Sequence, residues 1–592
     1  MIKQLKNQKK SFVLIQAVFI YAWLTILSPL SATDTYYSVY ALCAVAALLC
    51  MCGNYKAAPR FSKTQTVTVA AFSVLFSMAV LLGNYELFDP LSVLQNLFDA
   101  ACAFAGGFSV AYQILTCMLN RLPLRRDSGE RRHSGRVFAL AFGSIAAIDL
   151  LYLLFALYPG VLTTDSFTTI SQIMGNTPYD NVMPFWHTVT VEVFIHLGLK
   201  LFGDMNAAVA LFHGAQILFM AACFGFVLTT LYQIGVPKPG LAAVYAIYAF
   251  MPYNIVYSVT LWKDIPFAGA AVLFVTAFYR LLKNVGKSKV LNYIAFTVGV
   301  LGFSLWRTNG WYAFLVTVIV MFFLLRKSHK KLLILMAVVL LICWVLINPV
   351  LDAMDVGETN FVEAFAVPMQ QIARVVANGR ELTQEETGLL SEIFWMDKIG
   401  ALYDPQTVDP VKFETFRYDK VDYIKEHAGE YGKLYLSLGA RYPGDYFKAW
   451  IEETRGYWNG GYFFWTYTLN LGENQFGIHQ TGGDNIIAKL FAAAFRYIEK
   501  PAILQFTISI GLYVWGLISC CLVNVLKKQK EFLLTIPLLV LVVGLWLGTP
   551  VYSEFRYAYP IILSLPMILC VTLYHGEGPG SGSQNETSLR RM

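Results

Sequence analysis

Residues 137–157 read VFALAFGSIAAIDLLYLLFAL and run straight into YPGVLTTDS at 158–166. An apolar run of this length, with one carboxylate in it, suits a helix crossing a hydrocarbon core of about 30 Å, which takes about 20 residues. The Pro159-Gly160 pair and the hydroxyl-rich residues behind it end the run. Upstream the same pattern recurs at Ser11 to Leu30, Tyr36 to Cys52, Thr64 to Gly83 and Val93 to Asn120. The first of these follows Lys3, Lys6, Lys9 and Lys10, but it is long for a signal peptide and lacks a clean small-residue cleavage site, so it reads as a span. Across all 592 residues, 57% are hydrophobic and only 14% charged, against about a quarter charged in soluble domains. An ordinary soluble enzyme is excluded, and the chain reads as an all-α polytopic membrane protein of about 14–15 transmembrane helices.

Charge sets the expected orientation. Lys56, Arg60 and Lys63 flank one loop, and Arg121, Arg125, Arg126, Arg131, Arg132 and Arg136 crowd another. Further clusters are Arg280 to Lys289, Arg326 to Lys331 and Lys527 to Lys530. The positive-inside rule puts all of them in the cytoplasm. Tyr158 to Phe185, Trp262 to Asp264, Arg307 to Gly310, Asp352 to Lys500 and Ser553 to Arg556 then fall outside, in a multi-pass protein of the cell membrane. One step of this count breaks parity: three apolar segments (Trp186 to Gly203, Asn206 to Ile234, Leu241 to Leu261) lie where an even number is required. Trp186 to Gly203, with His187, Glu192, His196 and Lys200, is a candidate for lying partly in the interface; a split middle segment is the alternative.

The division that follows is an N-terminal transmembrane module over 1–136, a transmembrane core over 137–351, an extracytoplasmic, mostly helical domain over 352–500, C-terminal helices over 501–575, and a disordered Gly/Ser-rich tail over 576–592. The net charge of +7 is topogenic and too small to imply nucleic acid. All ten cysteines sit in hydrophobic segments and behave as small apolar residues, with no disulfide framework or zinc site.

Four polar motifs gather on the outer side. Asp165, in a loop of hydroxyls and aromatics, could accept a proton from a hydroxyl group, or serve with Thr163 and Thr164 to cap a short helix. Lys263 and Asp264 stand at the mouth of a span, where Asp264 could equally be an N-cap and Lys263 could snorkel to headgroups. Arg307, near Asn309, and Arg556, beside Glu554, each lie among aromatics at a span end; their planar donor forks suit a phosphate, and an interfacial aromatic belt explains them as well. Arg374 adds a cation early in the outside domain, and His187 a further polar contact. Trp450, Trp458, Tyr462 and Trp465 could face sugar rings or pack a core. Asp99 and Asp149 lie within predicted spans, where an ionisable residue marks function or interhelical hydrogen bonding.

In this order the motifs resemble the C-type (GT-C) integral-membrane glycosyltransferases, which include protein O-mannosyltransferases, aminoarabinose transferases and oligosaccharyltransferases. The likeness covers about Val137 to Tyr574, and Tyr158 to Asp165, Pro184 to Thr188 and Trp262-Lys263-Asp264 look most like a poorly characterised bacterial branch. It implies a GT-C-like core with catalytic acids at Asp165 and Asp264, and donor-phosphate contacts at Arg307 and Arg556. With it go a polyprenyl-phosphate-linked sugar donor and a glycan, lipid or protein acceptor. Asp165 would be general base, with His187, Lys263, Asn309, Arg374, Glu554 and the two arginines binding substrate. No clear Asp-x-Asp or Trp-Trp-Asp signature is present, so a divalent metal stays an open possibility and no cofactor is assigned. A flippase of lipid-linked sugars and a non-catalytic envelope-assembly scaffold are the alternative readings.

Overall fold

The computed structural model describes residues 2–32, 37–57, 61–88, 93–120, 133–357, 361–462, 471–499 and 505–574. The basic loop 121–132, Trp465 and the tail 576–592 lie outside the described residues. An N-terminal module of four helices, α1 (Ile2–Leu27), α2 (Tyr37–Ala57), α3 (Lys63–Gly83) and α4 (Val93–Asn120), precedes α5 (Ser134–Phe155). There follow α6 (Thr164–Ile173), α7 (Phe185–Phe202), α8 (Met205–Gln233), α9 (Lys238–Phe250), α10 (Pro252–Ser258), α11 (Asp264–Lys283), α12 (Lys289–Leu305), α13 (Thr308–Leu325), α14 (Lys330–Ile347) and α15 (Pro349–Ala353). A group of short helices comes next: α16 (Ala366–Ala377), α17 (Gln384–Ile393), α18 (Met396–Leu402), α19 (Asp409–Glu414), α20 (Val421–Glu426), α21 (Ala428–Arg441) and α22 (Pro443–Thr454). The chain closes with α23 (Ile486–Glu499), α24 (Ile510–Leu526), α25 (Ile536–Gly548) and α26 (Phe555–Leu573). Among the described residues β-pairing is limited to isolated bridges. The protein is an all-α polytopic membrane protein.

Among the described residues 11 helices are long and apolar enough to cross a membrane, and up to 12 if α9 and α10, bent by 48°, form one span. The bend falls at Met251, whose successor Pro252 disfavours a helical residue before it. α12 and α24 are shorter apolar helices. α7 is not among the spans, and both its ends lie at one end of the bundle. It begins beside the 158–184 loop, and just past it Asn206 accepts a hydrogen bond from His479 N–H (3.0 Å) while His213 meets Pro159 O (2.8 Å). α7 therefore returns to the side it started from, and the odd segment between Phe185 and Asp264 is accounted for.

Helices in lipid associate through close packing, small residues and interhelical hydrogen bonds rather than by leaving water. α11 is the most enclosed span and packs against α8, α12 and α26. Gly299 of α12 lies against the α11 backbone at Phe274, where a β-carbon would come within 2.5 Å. Phe267 stacks on Phe303 at 5.1 Å. Tyr559 donates to Asn254 Oδ1 (2.8 Å) and Asn524 to Thr572 Oγ1 (2.8 Å) across helices. Asp149 is buried in α5 beside Ser258, an interhelical contact, whereas Asp99 is half-buried on α4. Leu75, Leu94, Phe322, Phe323 and Leu341 remain more than half exposed, as a lipid-facing belt requires.

The N-terminal module has its own core around Trp23, Tyr40, Val69 and Val110 and rests on Trp515 of α24 through Phe72 and Phe76. Its far end touches the short-helix group: Glu86 pairs with Arg455 (2.9 Å), Tyr85 bonds Glu452, and Tyr40 donates to Asn459. The short-helix group packs around Met369, Leu390, Ile399, Val411 and Leu438. This core lies between Val362 and Tyr446. Residues 471–499 pack elsewhere: Thr481 bridges Tyr158, Phe476 stacks on Phe167, and Phe491 and Phe495 of α23 lie on Tyr152 of α5.

Candidate functional site

The site is assembled by pairing the segment after α5 with the segment after α10. Val161 N–H donates to Val259 O (2.7 Å) and Leu261 N–H to Val161 O (3.0 Å). Gln216 of α8 steadies the second segment by donating to Ser258 O (3.0 Å) and Thr260 O (2.9 Å). Gly160 makes the turn possible: its φ is +129°, and a β-carbon would lie 2.2 Å from the His213 ring. Ser166 then donates to Leu261 O (2.8 Å), and the Trp262 indole to Thr163 Oγ1 (2.6 Å). These bonds set α6 beside α11 at one end of the bundle.

Thr163 occupies the N-cap of α6, and its N–H donates to Ser166 Oγ (2.9 Å), so capping makes no use of the Asp165 carboxylate. That carboxylate instead accepts from Arg556 Nη1 at 2.9 Å. The Arg556 guanidinium lies over the Trp262 ring at 4.6 Å and the Tyr557 ring at 5.2 Å. Tyr557 is shared, because Arg307 covers it at 4.5 Å. Arg307 in turn forms an ion pair with Asp264, the fully buried first residue of α11. Asp165, Arg556, Tyr557, Arg307 and Asp264 thus make one continuous chain drawn from α6, α11, α13 and α26. Lys263 borders it, donating to Val182 O (3.1 Å). Glu554, 5% exposed, lies 3.8 Å from Arg556 Nε. His187, in the first turn of α7, is fully enclosed, and among the described residues neither its ring nitrogens nor the neighbouring Thr188 hydroxyl has a hydrogen-bond partner.

Two expected binding residues stand apart. Arg374 belongs to an ion-pair network in the short-helix group, with Glu452, Asp445 and the Tyr403 hydroxyl as partners. Two carboxylates already neutralise it, so its expected contact with a donor phosphate is withdrawn. Asn309 is exposed in the first turn of α13 and makes no bond to the charged chain among the described residues. Of the aromatics that could face sugars or pack a core, the three described ones pack: Trp450 and Trp458 stack at 5.8 Å, Trp450 donates to Trp546 O, and Tyr462 lies under Arg455 at 4.4 Å. They join the short helices to the bundle.

The charges tune one another. Burial alone would raise the Asp165 carboxyl, but Lys263, Arg556 and Arg307 outweigh it and hold the group below its ordinary value. Burial pulls the Lys263 ammonium down to about 8, opposed by Asp165 and reinforced by Arg307 and Arg556. Burial pushes Glu554 up to about 7 against the pull of Arg556 and Arg307. Burial, helped by Lys263, lowers His187 to about 3, which keeps its ring neutral at physiological pH. Near neutrality the site therefore holds the ionised Asp165 carboxylate, the Arg307–Asp264 ion pair, the Arg556 guanidinium and a lysine, and Glu554 titrates there. Among the described residues no group of three or more His, Cys, Asp or Glu side chains is arranged to hold a metal ion.

Tyr457, which the sequence alone did not single out, fixes the segment before α26. Its hydroxyl accepts from Glu554 N–H (3.0 Å) and Thr549 Oγ1 (3.1 Å) and donates to Val551 O (3.1 Å). The adjacent Gly456 approaches Ser553 so closely that a β-carbon would fall within 2.2 Å. A glycine-aromatic pair in a loop was the only local signal for this role. His213 and Gln216, polar residues on a buried helix face, carried a comparable hint.

The model of a family of unknown function (DUF6020) matches residues 176–586. The match takes in Lys263, Asp264, Arg307, Glu554 and Arg556 and leaves α6 with Asp165 before its start. No curated protein and no solved structure matches the chain.

Proposed function

The chain belongs to the family of unknown function DUF6020, and on this footing we propose that it is a GT-C-type membrane glycosyltransferase. It moves a sugar from a polyprenyl-phosphate carrier to a hydroxyl on a glycan, lipid or protein outside the cell membrane. The observation that carries the reading is the chain of contacts from Asp165 through Arg556, Tyr557 and Arg307 to Asp264 at one end of the bundle.

The acceptor hydroxyl gives its proton to the Asp165 carboxylate, and its oxygen attacks the anomeric carbon. The bond from that carbon to the carrier phosphate breaks, and the electron pair leaves on the phosphate oxygen. Arg307, Arg556 and Lys263 stabilise that negative charge in a desolvated setting, and one base with several cations is enough for an inverting displacement. Asp264 acts as a positioning residue by orienting Arg307. Donors of this kind fit a site on the outer side, because nucleotide sugars are made in the cytoplasm.

Purified protein in liposomes, given radiolabelled polyprenyl-phosphate hexose and candidate acceptors, should transfer label. Asp165→Asn should lower the rate by at least about a hundredfold, the lower range for loss of a general base, with an unchanged size-exclusion profile and melting temperature. Retention of most activity would remove Asp165 from the base role. Movement of donor across the vesicle without transfer would favour a flippase, and binding alone a scaffold.

A further inference from the structure

The end of the bundle opposite this site holds a second polar arrangement inside an apolar cavity. Arg280, in the last turn of α11, is 3% exposed. Its Nε donates to Asn292 Oδ1 (2.7 Å), and its Nη1 to Thr230 Oγ1 (2.9 Å) and Gln233 Oε1 (2.7 Å). All three acceptors are neutral, and among the described residues no carboxylate pairs with Arg280. Nη2 lies against Gly286, where a β-carbon would fall 2.2 Å from it. A buried guanidinium facing only neutral dipoles carries a desolvation cost that a counter-anion would offset.

The cavity beside it, about 580 Å³, is bounded by α5, α8, α11 and α12. Its lining is almost wholly hydrocarbon, with Phe138, Phe219, Phe226 and Leu273 prominent, and Arg280 stands in it together with Thr229. Thr229 is 8% exposed, and its hydroxyl has no partner among the described residues. On the α12 side the walls are Leu291, Ile294 and Val298, which are 50%, 55% and 43% exposed on the lipid-facing surface of that helix. The cavity therefore opens toward the bilayer through an apolar side and holds a cation and a spare hydroxyl within. That combination selects an amphiphile with an anionic head; a free anion would leave the hydrocarbon walls without a partner.

We propose that this cavity binds an anionic phospholipid, with its phosphoryl oxygens on Arg280 and Thr229 and a hydrocarbon chain between α5 and α12. A guanidinium prong and a hydroxyl are suitable donors for a phosphoryl group, and basic pockets between transmembrane helices recognise such headgroups. The proposal is independent of the transferase reading, since the lipid is neither donor nor acceptor and the site lies at the other end of α11.

The test uses the full-length protein in a neutral detergent, with native mass spectrometry after addition of dioleoyl-phosphatidylglycerol, dioleoyl-phosphatidylcholine or inorganic phosphate. Wild-type protein is expected to retain phosphatidylglycerol about tenfold more than phosphatidylcholine. Arg280→Gln and Thr229→Val are each expected to lower phosphatidylglycerol retention at least about fivefold while leaving phosphatidylcholine unchanged. Thr229→Val keeps the shape of the side chain and carries the test if Arg280→Gln does not fold. Equal retention of the two lipids would overturn the proposal. So would undiminished phosphatidylglycerol binding in folded Thr229→Val, or displacement of the lipid by millimolar phosphate, which would mark a site for the free anion.

Discussion

Asp165 and Asp264 each stand in the first turn of a helix, where backbone N–H dipoles favour a carboxylate whether or not it does chemistry. Their partners distinguish them, because each faces an arginine stacked on the same tyrosine. The cation beside them titrates in a useful range. As pH rises through about 8 Lys263 loses its charge, and Glu554 has already gained a negative charge through about 7, so the pull on a donor phosphate weakens from both causes. The donor KM is expected to rise above about pH 8 in the wild type. In Lys263→Arg, whose guanidinium stays charged, it should stay flat over the same range. Initial-rate measurements at several donor concentrations across that range check the point, and a parallel rise in both proteins would exclude Lys263. Gly160→Ala meets both a positive φ and the His213 ring. A loss of at least about 1 kcal/mol is expected from backbone strain, visible as a lower melting temperature and reduced activity.

Single elements carry the site by their ends. α6, α11, α13 and α26 all present their first residues to it, while α7 supplies His187 without crossing the bundle. The polar character of α7, with Glu192, His196 and Lys200, was legible as an interfacial signal, whereas the break at Met251-Pro252 falls in the last of the three apolar segments and not in the middle one offered as the alternative. What holds α26 in place was not legible: a tyrosine hydroxyl almost a hundred residues earlier satisfies the backbone around Glu554. Tyr457→Phe leaves the Glu554 N–H buried without an acceptor, a cost of about 1–3 kcal/mol. The variant is expected to melt earlier and to show a lower kcat with folded protein still recoverable. An unchanged melting temperature and kcat would show that the segment is held by other contacts.

For the whole molecule, the positive-inside reading puts the charged chain and Arg280 on opposite sides of the membrane. Cysteine labelling tests this in a cysteine-free background. A membrane-impermeant maleimide added to intact cells should modify Asn309→Cys, which is exposed near the charged chain, and should spare Lys287→Cys, also exposed, at the far end of α11. Modification of both from the same side would overturn the topology. The N-terminal module is more than an added anchor, because Tyr85 and Glu86 brace the short helices through Glu452 and Arg455. Those helices in turn hold the segment before α26, where Tyr552 N–H meets Gln406 O and Val408 N–H meets Pro550 O.

Hydropathy and charge act locally along a chain and add from residue to residue. For that reason the all-α polytopic class, the alternation of apolar runs with basic loops and the collection of polar motifs at one end follow from the sequence by itself. Ion pairing depends on ångström placement of groups far apart in the chain. Only the packed helices bring Arg556 to Asp165, 391 positions away, and give Arg374 to Glu452 instead of to the site. The same packing turns Trp450 and Trp458 inward as structural contacts, because aromatic residues at a helix junction gain more partners by stacking on one another than by facing an open surface.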